Sequence, residues 1–227
     1  MVHHRYITYR DARSDLRTAW EPSRFRWARP GDFPEAFESW ARANPVGIGT
    51  GWSSSLEVAV RAINWVFLLE GAGELVSPET RKNILRWLFA HGRHLASNPE
   101  PHPLNHALGR ALGLFVLGGY LRGLSEAREW FRAGQEEFSR EIGLAFLSDG
   151  SYAEGAPGYG AFVLEMGLVY LSLARGWGLD PGEVKPAVQR GLAFLANLAW
   201  PDGSFPIIGD FDDGGVLRPS GTGYTGY

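Results

Sequence analysis

Asn105 and His106 open the run Asn-His-Ala-Leu-Gly-Arg-Ala-Leu-Gly-Leu-Phe-Val-Leu-Gly-Gly-Tyr, whose second half is apolar on every side. An amide can hold a carboxylate, and an imidazole can move a proton near neutral pH. A helix apolar around its whole circumference has to be buried all round, so the two polar side chains would stand at its mouth. Two readings fit that position. Asn105 caps the helix by accepting a backbone N–H and His106 is a satisfied core histidine, or the pair forms the floor of a cleft. A second concentration, Asp149-Gly-Ser-Tyr152-Ala-Glu154 followed by Tyr159, adds carboxylates and phenols. Trp52 and His102 lie upstream; Phe205, Asp210, Asp212 and Asp213 lie downstream. Aromatic rings beside amide, imidazole and carboxylate groups suit carbohydrate, because rings stack on sugar faces and polar groups read hydroxyls. For Trp52 and Phe205 the alternative is closure of the hydrophobic layer. His102, His106 and the Asp212-Asp213 pair follow no known metal-ligand spacing, so no metal is assigned.

The elements that would carry these residues are helices. Asp32-Phe-Pro-Glu35 reads as a capped helix start, with Phe33, Ala36, Phe37, Trp40 and Ala41 following at helical spacing. Ser53–Leu69 is apolar around its circumference except for Glu57, Arg61 and Asn64, which share one stripe. That stripe fits either a solvated edge with a Glu57–Arg61 pair or the wall of an internal wet cavity. Ser77-Pro78-Glu79 starts an amphipathic helix over 78–96, and Ser125 caps another whose stripe is Ala127, Phe131, Gly134, Phe138, Ile142 and Ala145. Buried helices are expected at 104–119 and 157–175, and a last amphipathic helix at 183–199. The pieces Asp11–Trp20 and Pro22–Ala28 read as one or two short leading helices.

Outer and buried helices therefore alternate, and the buried ones begin near Ser53, Leu104 and Pro157, at intervals of 51 and 53 residues. Such a period, made of two antiparallel helices, signals a solenoid or a closed ring of helical hairpins. Asp149-Gly-Ser and Asp202-Gly-Ser repeat 53 residues apart and support it. The expected fold is all-α, an incomplete (α/α) toroid over 1–227, with leading helices in 1–31 and an irregular tail in 216–227. In a hairpin ring every outer-to-inner connection lies on the same rim. That places Trp52, the His102–His106 segment, the Asp149–Tyr159 loop and the Asp202–Asp213 loop together, whereas Glu70–Leu75 and Gly176–Leu179 read as plain turns on the other rim.

Composition narrows the partners. The net charge of −3 argues against general nucleic-acid binding, and 44% hydrophobic residues suffice for a large core. There is no cysteine, hence no disulfide or thiolate metal site. No signal peptide and no uninterrupted membrane-spanning run is visible.

Asn105-His106 opening a buried helix, Asp149-Gly-Ser-Tyr-Ala-Glu154 leading to Tyr159, Trp52-Ser-Ser-Ser-Leu-Glu57 with Arg61, Asn64 and Trp65, and Ile208-Gly-Asp210-Phe-Asp-Asp-Gly214 occur in one order. Together they resemble the heparinase II/III-like polysaccharide lyases, and the alginate lyases of the same architecture, over roughly residues 11–215. The resemblance implies an (α/α) toroid followed in the family by a β-sandwich domain, absent from this chain, which often holds a structural zinc; no cofactor is implied in this chain. It implies β-elimination on an acidic, uronate-containing polysaccharide and a periplasmic or secreted location. Asn105, His106 and Tyr159 take the catalytic positions, and Trp52, Arg61, His102, Tyr152, Glu154 and Asp210 are the expected substrate contacts. Gly160 stands where relatives often have histidine, and Gly109 and Arg110 where some have an acidic residue. A chain without the sheet domain is expected to have weak activity or none. Two other functions fit the residues: a toroid glycoside hydrolase using Asp149 and Asp210, and a non-catalytic polysaccharide-binding module.

Overall fold

The computed structural model of the protein describes residues 16–99, 101–202, 204, 206–209 and 215–217. Among them the helices are α1 (Arg17–Ser23), α2 (Phe33–Ala43), α3 (Ser55–Ala72), α4 (Pro78–Ser97), α5 (Asn105–Tyr120), α6 (Ser125–Ala145), α7 (Pro157–Gly176) and α8 (Val184–Leu198). No strand forms among the described residues; Phe146 and Tyr152 make an isolated antiparallel bridge. At the front, the described part of the expected leading helices forms one helix whose last turn contains Pro22; residues 11–15 lie outside the described residues. Asp32 makes no side-chain cap bond, and Ser125 is the first residue of α6 rather than its cap. Ser77 does cap α4, its hydroxyl accepting from Thr80 N–H at 3.1 Å.

The alternation of inner and outer helices is the architecture. From Asn105 to Gly118 every residue of α5 but His106 is buried, whereas α4 buries one face: Ile84, Leu88, His91, Gly92, His94 and Leu95. α6 likewise buries one stripe, in which Trp130 takes the place expected for Phe131. α3, α5 and α7 form the inner layer and α4, α6 and α8 the outer one, giving an incomplete helical toroid. α5 stands at its centre, packed on α3, α4, α6 and α7. By length and composition α7 could cross a membrane, yet Phe162, Val163, Met166, Val169 and Tyr170 are buried in the protein's own core. The repeat is legible in detail. Asp149 Oδ1 accepts from Ser151 N and Oγ at 2.9 and 2.7 Å, and Asp202 Oδ1 accepts from Ser204 N and Oγ at 2.9 and 2.6 Å.

α5 and α6 touch backbone to backbone because two glycines let them. A Cβ on Gly118 would lie 2.4 Å from the Phe131 nitrogen, and one on Gly134 2.4 Å from the Phe115 nitrogen. Gly134→Leu is expected to cost about 3 kcal/mol or more, the upper end of overpacking, since backbone cannot move aside as a side chain would. Gly143 in the same helix meets nothing within 4 Å, so Gly143→Ala should instead stabilise by about 0.5–1 kcal/mol through helix propensity. Urea unfolding of both variants checks the pair of signs.

The stripe on α3 is neither a solvated edge nor a wet cavity wall, and the physical reason is that other segments pack onto it. Glu57 is held by both arms of the Arg24 guanidinium, at 2.7 and 2.6 Å, behind α1. Such a bidentate pair compensates the desolvation of both charges. Arg61 is fully buried, its guanidinium carbon 4.4 Å from the Trp40 ring centre and 5.3 Å from that of Trp52, with Nε donating to His91 Nε2 at 3.0 Å. Burial, opposed by the charge of Glu57, brings its pKa down to about 9. Asn64 donates to the Val216 carbonyl at 2.6 Å, and the Glu165 carboxylate on α7 accepts from Val216 and Leu217 N–H at 2.9 and 2.8 Å. A short stretch of the expected tail is thus clasped between the first and third inner helices.

His91 donates from Nδ1 to the Trp87 carbonyl and accepts at Nε2, so it is neutral. Burial and then the Arg61 charge hold its pKa well below the ordinary histidine value. Below about pH 6.5 the unfolded chain therefore binds a proton that the fold refuses, and stability falls as pH falls, by up to about 1.4 kcal/mol per pH unit. Melting temperatures between about pH 7 and pH 5 should show this, and His91→Gln should flatten the curve. An unchanged slope in that variant would contradict it.

Candidate active site

The chain enters α5 through Leu104, at φ 59° and ψ −121°, a region costly for a branched side chain. Leu104, not Asn105, is the helix N-cap, and no side chain caps the helix. The capping account of Asn105 is thereby replaced: Asn105 occupies the first helical position and lines a cavity. Tyr159 reaches the same cavity from the first turn of α7, which Pro157 starts after an extended Ala156.

His102, Asn105, His106, Glu154 and Tyr159, walled by Pro103 and Ala156, enclose a cavity of about 540 Å³. The imidazoles of His102 and His106 lie 5.6 Å apart. Asn105 is almost wholly buried (6% exposed), which removes competing water from its amide, while His102 and Glu154 stand at the exposed edge. The arrangement offers an amide for an anion, an imidazole and a phenol for proton movement, and a carboxylate at the mouth. The walls Pro103 and Ala156 were not singled out from the sequence; both adjoin residues that were.

Two expected contacts are corrected, and a third is buried against the cavity lining. Trp52 is fully buried, its ring centre 4.6 Å from that of His91 and 5.2 Å from that of His94, so it closes the aromatic core rather than stacking on a ligand. Arg61 lies in that same core, out of reach of the cavity. Tyr152 is buried, its ring lining an apolar crevice with Phe194 and Leu198 and its hydroxyl lying against Asn105 and Glu154 of the cavity. Burial, then the charge of Glu154, pushes its phenol far above the ordinary tyrosine value, so it stays protonated. Asp210, with Phe205, Asp212 and Asp213, lies outside the described residues.

The departures at glycine and arginine have packing causes. A Cβ on Gly160 would sit 3.1 Å from Tyr152 Cβ, and one on Gly109 2.2 Å from Leu56 Cδ1. Arg110 turns from the cavity to the Leu95 carbonyl at 2.9 Å and to Glu137. Asp149 Oδ1 accepts from both the hydroxyl and the N–H of Ser151, which hold its carboxyl below the usual carboxylate range. A carboxyl so held is a poor proton donor, which weakens the hydrolase account.

The family model for the heparinase II/III N-terminus matches residues 20–217. The chain belongs to this family. Its heparinase-type toroid is 27% identical over 109 residues to a heparin-sulfate lyase of Bacteroides stercoris, a match covering 47% of this chain and 16% of that protein. Among solved structures it resembles a heparinase III, with a TM-score of 0.65 at 18% identity, covering 91% of this chain and 34% of that one. It also resembles the heparan sulfate lyase HepC of Pedobacter heparinus, with a TM-score of 0.61 at 20% identity, covering 87% and 34%. At these identities the likeness is one of fold. The heparinase-type chain thus spans about a third of the length of the solved relatives and less of the curated one.

Proposed function

We propose that the cavity at the mouths of α5 and α7 is the toroid half of a polysaccharide lyase active site acting on a uronate-containing glycosaminoglycan. The observation that carries this reading is the convergence of Asn105, His106 and Tyr159 on one polar cavity in a chain of the heparinase II/III family. The C5 proton of a uronate is too weakly acidic to leave while the adjacent carboxylate keeps its full charge. Asn105 donates to that carboxylate and stabilises it as it becomes enolate-like. His106 takes the C5 proton, or assists, according to the C5 configuration; Tyr159 serves the C5/C4 side and returns a proton to the departing O4. The C5–H and C4–O4 bonds break, a C4–C5 double bond forms, and O4 leaves as a hydroxyl. Because a charged polymer does not cross a membrane, the reading also puts the protein where the polymer is, in the periplasm or outside the cell.

The test uses the whole natural protein with heparan sulfate, alginate and dextran. Ultraviolet absorbance of the unsaturated uronate should rise with heparan sulfate. New reducing ends without absorbance would indicate a hydrolase, and binding without either product a carbohydrate-binding module.

A further inference from the structure

The rim opposite the active site, expected to hold plain turns, carries a second cavity of about 460 Å³. Its floor is Trp177, Phe131 and Leu179, and its rim is Arg122, Arg128 and Arg132. The floor is built in. A Cβ on Gly119 would lie 2.3 Å from the Trp177 ring, so only glycine lets that ring settle on α5, where its centre is 5.1 Å from Phe115 and 5.6 Å from Phe131. Trp177 and Phe131 remain half-exposed.

The rim is the informative part. All three arginines are exposed, and none forms an ion pair with a carboxylate among the described residues. Elsewhere Arg24, Arg93 and Arg110 each have an acidic partner. Arg128 and Arg132 stand four residues apart on one face of α6, where like charges repel. Arg128 also reaches back to the Arg122 carbonyl at 3.4 Å, which draws it over the cavity. A protein of net charge −3 has acidic residues to spare, yet lines this hollow with cations alone. Guanidinium forks around an aromatic floor match a ring that is apolar on one face and anionic at its edge.

We infer that this hollow is a second binding site for the acidic polysaccharide, taking one sulfated or carboxylated sugar unit with its ring on Trp177 and its anionic groups on Arg122, Arg128 and Arg132. The inference rests on the acidic-polysaccharide reading above and deepens it. Two sites at opposite ends of the toroid let one long polymer, or two, stay attached while the active site turns over, so local substrate concentration rises.

The experiment measures calorimetric affinity for a size-fractionated heparin oligosaccharide at low salt, with hydrogen exchange of residues 118–132 and 177–179. The triple change Arg122→Gln, Arg128→Gln, Arg132→Gln should weaken binding by a factor on the order of ten or more and remove ligand-induced protection there. Turnover of short oligosaccharides should stay normal, because the active site is untouched. A control triple on other exposed arginines, Arg29→Gln, Arg42→Gln and Arg86→Gln, removes equal charge and should leave affinity nearly intact. Equal loss in both triples, or no loss in the first, would overturn the proposal. So would competition by inorganic sulfate at the oligosaccharide's own concentration, which would show a free-anion site. Absence of turnover in the unmodified protein bears on the lyase reading instead, so the two failures are distinct.

Discussion

Tyr159→Phe is expected to abolish the unsaturated product of the proposed reaction while leaving polymer affinity nearly unchanged, the largest effect expected of any substitution in the protein. The phenyl ring keeps its place in the first turn of α7 and its wall in the cavity, and only the hydroxyl is lost. The loss then falls on proton transfer, about two to four orders of magnitude in rate. A rate within about threefold of the unmodified protein would remove Tyr159 from the chemistry, since general acid–base groups contribute far more. Binding and absorbance measured on the same preparation keep the two quantities apart.

Asn105→Ala is the second. Turnover should fall by a factor on the order of a hundred or more, because in the proposed mechanism the amide stabilises charge that develops only as the carboxylate becomes enolate-like. Ground-state affinity should change less. Asn105→Asp should be worse still, since it sets a carboxylate against the substrate's own and like charges disfavour the complex. A capping asparagine would behave otherwise: its loss would cost about 1 kcal/mol of stability and leave turnover intact. The absence of a side-chain cap bond at α5 argues for the first outcome. A lowered melting temperature with normal turnover would reverse that assignment.

The two cavities divide the toroid's ends by chemistry. The rim at His102–Tyr159 mixes amide, imidazole, phenol and carboxylate, and the rim at Arg122–Leu179 is aromatic and cationic. Both depend on close helix approach: Gly109 against Leu56 brings α5 to α3, and Gly119 against Trp177 brings α5 to the end of α7.

Much of this was determined by the sequence alone. Two kinds of helix were legible because burial on one side or on all sides leaves different periodicities, and the 53-residue echo of Asp-Gly-Ser marked the repeat that the two matching hydrogen-bonded turns confirm. From that alternation the shared rim followed by geometry, and with it the meeting of Asn105, His106 and Tyr159 in one cavity. Which aromatic or charged side chain faces a ligand was not legible, because residue type says nothing of what packs over it. Trp52 and Arg61 sit at the right level of the chain, yet α2, α4 and the turn before α3 close around them, and a buried cation among indoles reads in sequence like an exposed one. Likewise Arg122, Arg128, Arg132 and Trp177 are separated by up to 55 residues of ordinary helix and turn. Only the packing of α6 against α5, where two glycines remove the side chains between them, and of Trp177 onto Gly119 of α5 makes them neighbours.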